Sequence, residues 1–256
     1  MTTEAQPTSR EHVTYDGEGK VIERMHFDAE GRLDGKVIAY GPTGKVLRES
    51  TYRAGKLNGE ALFYSETGVL QQRARFRDGK LEGLTLLYDE LGRLAQAMPY
   101  RKGIVHGEAT IYDRDTVRVK QTFVNGKLNG VVSVYSDTGH VASLMNYKDG
   151  LLEGEGKVFT SEGKLFRVTK YVKNKVEGEV VEYYDTGEVA ARTPFLNDKR
   201  HGESIEFHKN GKPRRKVVFK EGQQVGEPQL FDEKGREAKP NDKPLVVKVM
   251  GALKGA

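Results

Sequence analysis

The sequence predicts an all-β protein: an elongated, twisted antiparallel meander of about nine β-hairpin repeats of about 24 residues, followed by a short C-terminal helix. Three observations predict this fold. Glycines recur at a nearly constant interval, two aromatic residues occupy fixed positions in each repeat, and turn-forming residues separate them. A repeat of this length accommodates two strands of about six residues and two turns.

Anchor glycines set the period of the repeat. Each ends a triplet such as Leu-Asn-Gly or Leu-Glu-Gly, and the steps from one to the next are 24, 24, 24, 23, 24, 24, 24 and 24 residues. Steps of nearly equal length indicate a repeat architecture in which each unit contacts its neighbours. The anchor glycines are Gly35, Gly59, Gly83, Gly107, Gly130, Gly154, Gly178, Gly202 and Gly226.

Two aromatic rows follow the same period, so most Tyr and Phe residues are explained as structural. The first row lies five residues after each anchor glycine and comprises Tyr40, Tyr64, Tyr88, Tyr112, Tyr135, Phe159, Tyr183, Phe207 and Phe231. The second row precedes the next anchor glycine and comprises Tyr52, Phe76, Tyr100, Phe123, Tyr147, Tyr171, Phe195 and Phe219.

Two kinds of turn connect the strands. Segments such as YSETGVL predict three-residue loops with glycine in a G1 bulge, and segments such as YRAGKL predict two-residue primed turns. Leu57 and Tyr64 are an odd number of residues apart and would face opposite sides of a regular strand. We therefore expect a one-residue bulge at Gly59 and its equivalents, which places both aromatic rows on one face.

The ends depart from the repeat. Residues 1–11 are polar and predicted to be disordered, residues 12–238 form the repeat domain, and residues 239–256 form a C-terminal tail. In the tail, Asn241 and Asp242 are candidate N-caps, and apolar residues follow at helical spacing. The predicted helix either caps the last hairpin or docks on a membrane surface or a partner.

Composition excludes several classes of protein. The chain has no cysteine, which excludes disulfides and cysteine-ligated zinc, and no apolar stretch long enough for a signal peptide or a membrane span. A net charge of +5 from 42 basic and 37 acidic residues indicates a mixed surface with a mild preference for acidic partners. These features predict a cytoplasmic protein.

The repeat unit NGKLNGxxxxYxxxGxL, followed by a second aromatic residue, resembles the MORN-variant repeat of bacterial YwqK-like antitoxin and immunity proteins over about residues 12–238. It lacks the paired glycines of the eukaryotic-type unit YxGxxxxGxxxGxG. The resemblance implies a meander of β-hairpins and a role as a binder that neutralises a cognate toxin. Such repeats also occur in proteins with no assigned task.

No motif predicts catalysis, a metal site or a cofactor. His201 and His208 are seven residues apart, but the turn and surface positions that they occupy explain them without a metal. GEGK, at 17–20 and 154–157, lacks the spacing of a phosphate-binding loop. The acidic residues fall in turns at equivalent positions, so we expect a protein that is not an enzyme.

Two sets of residues are candidates for partner binding. The first is the middle row of the second strands, where long polar side chains interrupt an apolar face: Arg48, Gln72, Gln96, Arg167 and Arg215. These side chains either reach a partner or only pack over the aromatic rings. The second set lies on residues 208–220, the basic hairpin: Lys209, Lys212, Arg214 and Lys216, together with Arg215. Basic and aromatic residues together indicate nucleic acid, whereas Glu203, Glu206 and Glu221 favour an ordinary solvated hairpin.

The leading hypothesis is a binding protein whose partner is a cognate protein toxin that acts inside the cell. The alternative is a scaffold that binds anionic lipid or nucleic acid through its basic surface, as proposed for MORN-type repeats. Binding to phosphate groups weakens steeply with salt, whereas a shape-matched protein complex survives it.

Overall fold

A computed structural model describes residues 10–238. Within that range all regular secondary structure is β-strand, and the chain divides into two compact units, Met1–Lys175 and Val176–Ala256. The predicted all-β class is therefore confirmed. Each unit is described by itself below.

Strands of the first unit form an antiparallel meander, in which each strand pairs with the next along the chain. They are β1 (Arg10–Tyr15), β2 (Val21–Phe27), β3 (Gly35–Tyr40), β4 (Val46–Arg53), β5 (Lys56–Tyr64), β6 (Leu70–Arg77), β7 (Lys80–Leu81), β8 (Gly83–Tyr88), β9 (Leu94–Arg101), β10 (Ile104–Val105), β11 (Gly107–Asp113), β12 (Thr116–Val124), β13 (Lys127–Leu128), β14 (Gly130–Tyr135), β15 (Val141–Lys148), β16 (Leu151–Phe159) and β17 (Leu165–Val172).

The second unit repeats this pattern with fewer hairpins, and β18 (Lys175–Val176) contains the division between the units. Its remaining strands are β19 (Gly178–Tyr183), β20 (Val189–Leu196), β21 (Lys199–Arg200), β22 (Gly202–Phe207), β23 (Pro213–Lys220) and β24 (Gln223–Leu230). In several repeats the residue before the anchor glycine interrupts the strand ladder, which leaves a separate two-residue strand such as β7 or β21. These repeats therefore contain three strands instead of two.

The register of the hairpins is the predicted one. Tyr40 pairs with Val46 across the first kind of turn, and Tyr52 pairs with Leu57 across the second. The next repeat has the same pairs, Tyr64 with Leu70 and Phe76 with Leu81.

Both turn types are confirmed. In the three-residue loop, the Gly41 amide donates to the Lys45 carbonyl over 2.8 Å, and Gly44 has a φ of 77°. In the two-residue turn, Ala54 and Gly55 have φ values of 47° and 78°, which is the type I′ geometry.

The short repeat around residue 116 has its own explanation. Arg114 and Asp115 both have positive φ, 46° and 64°, and Asp113 pairs with Thr116. A two-residue turn therefore replaces the three-residue loop of the other repeats, and the loop glycine is absent from this repeat because its loop is absent.

The two aromatic rows lie on opposite faces, so the prediction of a common face is wrong. Tyr52 pairs with Leu57 and Ser50 pairs with Ala61, which means that the register slips by two residues around the anchor glycine. A slip of two residues leaves the alternation of faces unchanged. Tyr64, an odd number of residues from Leu57, therefore points to the other face.

Groups around Tyr64 agree with this assignment. Burial, followed by the charges of Glu49 and Glu60, raises the pKa of the Tyr64 hydroxyl, and both carboxylates belong to the face opposite Ser50. Gly59 itself has a φ of 124°, so the anchor glycine is irregular as predicted, and only the size of the slip differs.

Small residues make up the most buried surface of the first unit. Val37, Ser50, Ala61 and Ala74 are cross-strand neighbours, and at most 2% of each is exposed. We call this surface the small-residue face. The second aromatic row lies on the same face. Because the side chains of the small residues are short, the aromatic rings can cover them, and the core is one layer thick.

The predicted ends lie mostly outside the described residues. β1 begins at Arg10, two residues before the predicted start of the repeat domain. Residues 1–9 and the tail 239–256, where we predicted disorder and a helix, fall outside the described range.

Candidate binding surfaces

The predicted polar row lies on the small-residue face of the first unit. Arg48 pairs with Phe63, which pairs with Gln72, and Gln72 pairs with Leu87, which pairs with Gln96. Long polar and apolar residues thus alternate across successive strands, and all five are half-buried. The polar stems pack between apolar side chains while their ends reach the surface.

Arginines in this row differ in their partners. Arg48 Nη2 donates to Glu23 Oε1 over 3.1 Å, and the guanidinium carbon of Arg167 lies 5.3 Å from the centre of the Phe166 ring. Arg215 belongs to the second unit and donates to Glu206 over 3.0 Å. The structure therefore brings Arg48, Gln72 and Gln96 into one row and places Arg215 in the other unit.

Cations of the basic hairpin have acceptors within the second unit. Arg214 and Arg215 both donate to Glu206, over 2.7 and 3.0 Å, and Lys216 lies 3.5 Å from Glu203. Burial raises the pKa of Glu206, but hydrogen bonds from the two arginines outweigh it, and the pKa lies below its ordinary value.

Two more lysines of the basic hairpin, Lys209 and Lys212, also have partners. Lys209 lies 3.9 Å from Asp185 and 5.7 Å from the centre of the Tyr184 ring, and Lys212 Nζ donates to the Lys234 carbonyl over 3.0 Å. Because most of its cations already have partners, the geometry favours an ordinary solvated hairpin over a phosphate-binding one.

A second cationic surface, which the sequence analysis missed, lies at the type I′ turns of the first unit. Five of these turns, with ranges 53–56, 77–80, 101–104, 124–127 and 148–151, form what we call the cationic turn edge. Its cations are Arg53, Lys56, Arg77, Lys80, Arg101, Lys102, Lys127 and Lys148. The sequence signal for this edge is the Arg and Lys residues that flank the turn in segments such as YRAGKL and FRDGKL.

Backbone hydrogen bonds hold these turns in a stack. The amide of Gly79 donates to the carbonyl of Leu57, one repeat earlier, over 2.8 Å, and the amide of Gly103 donates to that of Leu81 over the same distance. Side chains add to the stack, since Glu82 accepts the Lys102 amide over 2.8 Å. The spacing of the turns is therefore fixed by the backbone.

The cations of this edge are largely without ionic partners. Arg77 lies 3.9 Å from Glu82, and 69% of the Arg77 side chain is exposed. The other seven make no ion pair with a residue between 10 and 238. Like charges at fixed spacing create a positive potential along the edge.

Neither a metal centre nor a membrane-spanning helix was found in the part of the chain that the structure describes. Residues 10–238 contain no group of three or more His, Cys, Asp or Glu side chains suited to a metal ion. They also contain no helix with the length and hydrophobicity of a membrane span. His208 Nε2 lies 2.9 Å from the Phe231 carbonyl, which explains this histidine structurally.

Two solved structures are distantly similar to the chain. The complex titled TcdB2-TccC3-Cdc42 has a TM-score of 0.22 and 14% identity, covering 84% of this chain and 14% of that one. An alternansucrase in complex with isomaltononaose has a TM-score of 0.21 and 15% identity, covering 90% and 16%. The chain thus spans about a sixth of these proteins at most, and the scores are too low to bear on its fold or function.

Sequence comparison is more specific. No curated protein matches the chain. The MORN repeat variant matches at residues 33–54, 57–78, 128–149, 176–197 and 200–221. Each match begins within an anchor triplet and ends in the next type I′ turn, in agreement with the period of the hairpins. Five segments of the chain are therefore similar to the MORN repeat variant.

Proposed function

We propose that this chain is a non-enzymatic binding protein that neutralises a cognate protein toxin by direct contact, as an antitoxin or immunity protein in the cytoplasm. The observation that carries the proposal is the row of Arg48, Gln72 and Gln96 on the small-residue face. The row presents long polar side chains, an arginine in one repeat and glutamines in the next two, on a backbone that repeats regularly.

Such a row suits recognition of a protein surface. Its members are half-buried between Phe63 and Leu87, so their stems are already ordered and lose little side-chain entropy on binding. Arginine and apolar side chains together are typical of interface centres. Changes at equivalent positions would alter specificity without altering the fold.

The alternative is a scaffold that binds anionic lipid or nucleic acid through its basic surface. In the basic hairpin, Asp185, Glu203 and Glu206 occupy Lys209, Arg214, Arg215 and Lys216. The observations on this hairpin therefore favour the protein partner.

Affinity capture from the native cells tests the proposal. The full chain should retain one protein at both low and high salt, and that protein should be toxic when expressed alone and harmless when co-expressed with this chain. The double variant Arg48→Ala, Gln72→Ala should lose the capture.

The matched control removes the same residue types from the opposite face of β6, with Gln71→Ala and Arg75→Ala, and should retain it. Recovery of lipid or nucleic acid alone, or equal loss in both variants, would overturn the proposal.

A further inference from the structure

We propose that the cationic turn edge is a second interaction surface, which binds an extended acidic polypeptide segment with a carboxylate at about every third residue. This surface is distinct from the row of Arg48, Gln72 and Gln96. It lies where the strands turn, and its cations point away from the second aromatic row because Arg53 follows Tyr52 in a regular strand.

Charge is the first argument for an acidic partner. The five turn ranges of the edge carry eight cations and two carboxylates, Asp78 and Asp149. The equivalent ranges of the second unit, 196–199 and 220–223, carry two cations and two carboxylates, and Lys199 lies 3.4 Å from Glu221. The same backbone turn is thus charged in one unit and neutral in the other, so the turn itself does not require the charge.

Spacing is the second argument. Successive turns are two strands apart, which corresponds to about 9.6 Å. Three residues of a polyproline II segment span about 9.3 Å, so carboxylates at every third residue meet successive turns in register. Side chains on one face of a β-strand recur at about 6.7 Å and drift out of register after one turn. Rigid stacking of the turns keeps the period constant, because each glycine amide is bonded to the preceding repeat.

Exposed aliphatic side chains are the third argument. Ile104 and Val124 lie on consecutive turns of the edge and are 51% and 41% exposed, and Leu151 is 40% exposed. A polypeptide offers apolar side chains to these positions between its carboxylates, which a nucleic-acid backbone does not. The edge also contains no aromatic residue on which a base could stack.

Peptide binding to the full chain tests this inference without any toxin. The probe is a fluorescent peptide of six Glu-Pro-Pro repeats at low salt, measured by anisotropy. A comparison peptide has six Glu-Pro repeats and therefore the same charge at a shorter period. We expect the first peptide to bind more tightly, and binding to weaken as salt is added.

The variant Arg77→Gln, Lys80→Gln should weaken binding of the first peptide about fivefold, since two exposed ionic contacts are lost. The matched control, Lys199→Gln with Lys220→Gln, removes the same charge from the second unit and should leave binding within about twofold. Thermal melts of both variants should match the wild type, because the substituted side chains are exposed.

Three outcomes would overturn the inference: equal affinity for the two peptides, equal weakening by the control, or tighter binding of duplex DNA or phosphatidylserine vesicles than of the first peptide. The toxin proposal is tested with a different variant, so the two proposals can fail independently. The Arg48→Ala, Gln72→Ala variant, which is used in the toxin capture, should bind the acidic peptide normally.

Discussion

The basic hairpin and the cationic turn edge have similar numbers of cations, but the structure uses them differently. In the basic hairpin, carboxylates hold four of the cations, and Glu206 alone accepts hydrogen bonds from Arg214 and Arg215. At the edge, the backbone fixes the position of each turn, and the charged ends of the side chains are left in solvent. The number of basic residues in a segment therefore does not tell how much positive charge is available to a partner.

The two surfaces should also differ in what destabilises them. The edge is positioned by backbone geometry. Substitutions that add a side chain at an anchor glycine should therefore lower the stability of the chain strongly. Ion pairs position the basic hairpin, and exposed or half-exposed pairs contribute little to stability. The predictions below test this difference, beginning with the largest expected effect.

Gly59→Ala should destabilise the chain by about 2–4 kcal/mol, because a φ of 124° is strained for alanine and its Cβ would lie 3.0 Å from Thr51 Cβ. Gly130→Ala is the matched control. Its φ of 108° is similarly strained, but the nearest atom, Thr122 Cβ, is 3.7 Å away, so we expect about 1–2 kcal/mol. Urea unfolding measures both values, and equal losses would show that the contact with Thr51 is unimportant.

Glu206→Gln should cost about 1 kcal/mol in stability, since it removes the acceptor charge from two arginines of the basic hairpin. It should also make the hairpin resemble the edge, because Arg214 and Arg215 lose their ionic partner. Binding of the acidic peptide should therefore increase, most clearly when Arg77 and Lys80 have been replaced by glutamine. Unchanged peptide binding in that triple variant would mean that loss of the ion pairs does not make the hairpin cations available.

Much of the fold could be predicted from the sequence, because the glycine positions specify the turn types and therefore the strand pairing. The pairing of Tyr52 with Leu57 follows from the two-residue turn between them, and turn residues such as Ala54-Gly55 specify that turn. The assignment of faces was not accessible. It depends on whether the chain slips by one residue or two around Gly59, and both slips satisfy the same glycine pattern.

The candidate surfaces were accessible in part. The row of Arg48, Gln72 and Gln96 follows from the period alone, and its position on one face is confirmed. The basic hairpin was visible as a run of cations, and Glu206 was among the acids expected near it. The folded hairpin adds that Glu206 is the cross-strand partner of Arg215. The edge was not accessible, because its cations come from five separate segments that only the stacking of the turns brings together.

Substitutions in the two-residue turns should change the stability of the chain less than substitutions at anchor glycines do. Ala54 has a φ of 47° in a type I′ turn, where asparagine is preferred, and Asn125 occupies the equivalent position with a φ of 50°. Ala54→Asn should stabilise the chain by about 0.5–1 kcal/mol, and Asn125→Ala should destabilise it by a similar amount. Shifts in the urea midpoint at constant slope measure both effects, and shifts of the same sign would contradict the type I′ preference.

The smallest effect is expected at the three-residue loops, which lie at the other end of the strands from the edge. Asp89 Oδ1 accepts the amides of Leu91 and Arg93, both over 2.9 Å, and its other oxygen accepts from Arg93 Nε over 2.8 Å. The Arg93 amide, followed by the Arg93 side chain, lowers the pKa of the Asp89 carboxyl in the folded state. A lowered pKa means that the ionised carboxylate stabilises the fold above its unfolded pKa of about 3.9, and that this stabilisation is lost as the pH falls through the lower folded value.

Asp89→Ser is the matched substitution, because Ser65 occupies the equivalent loop position and its hydroxyl accepts the Val69 amide over 3.1 Å. The stability difference between wild type and Asp89→Ser should be constant between about pH 5 and 7 and should decrease below about pH 4. Urea unfolding across this range measures it. Because the loop is exposed, the difference should be small, and a difference that grew on acidification would reverse the sign assigned to the Asp89 carboxylate.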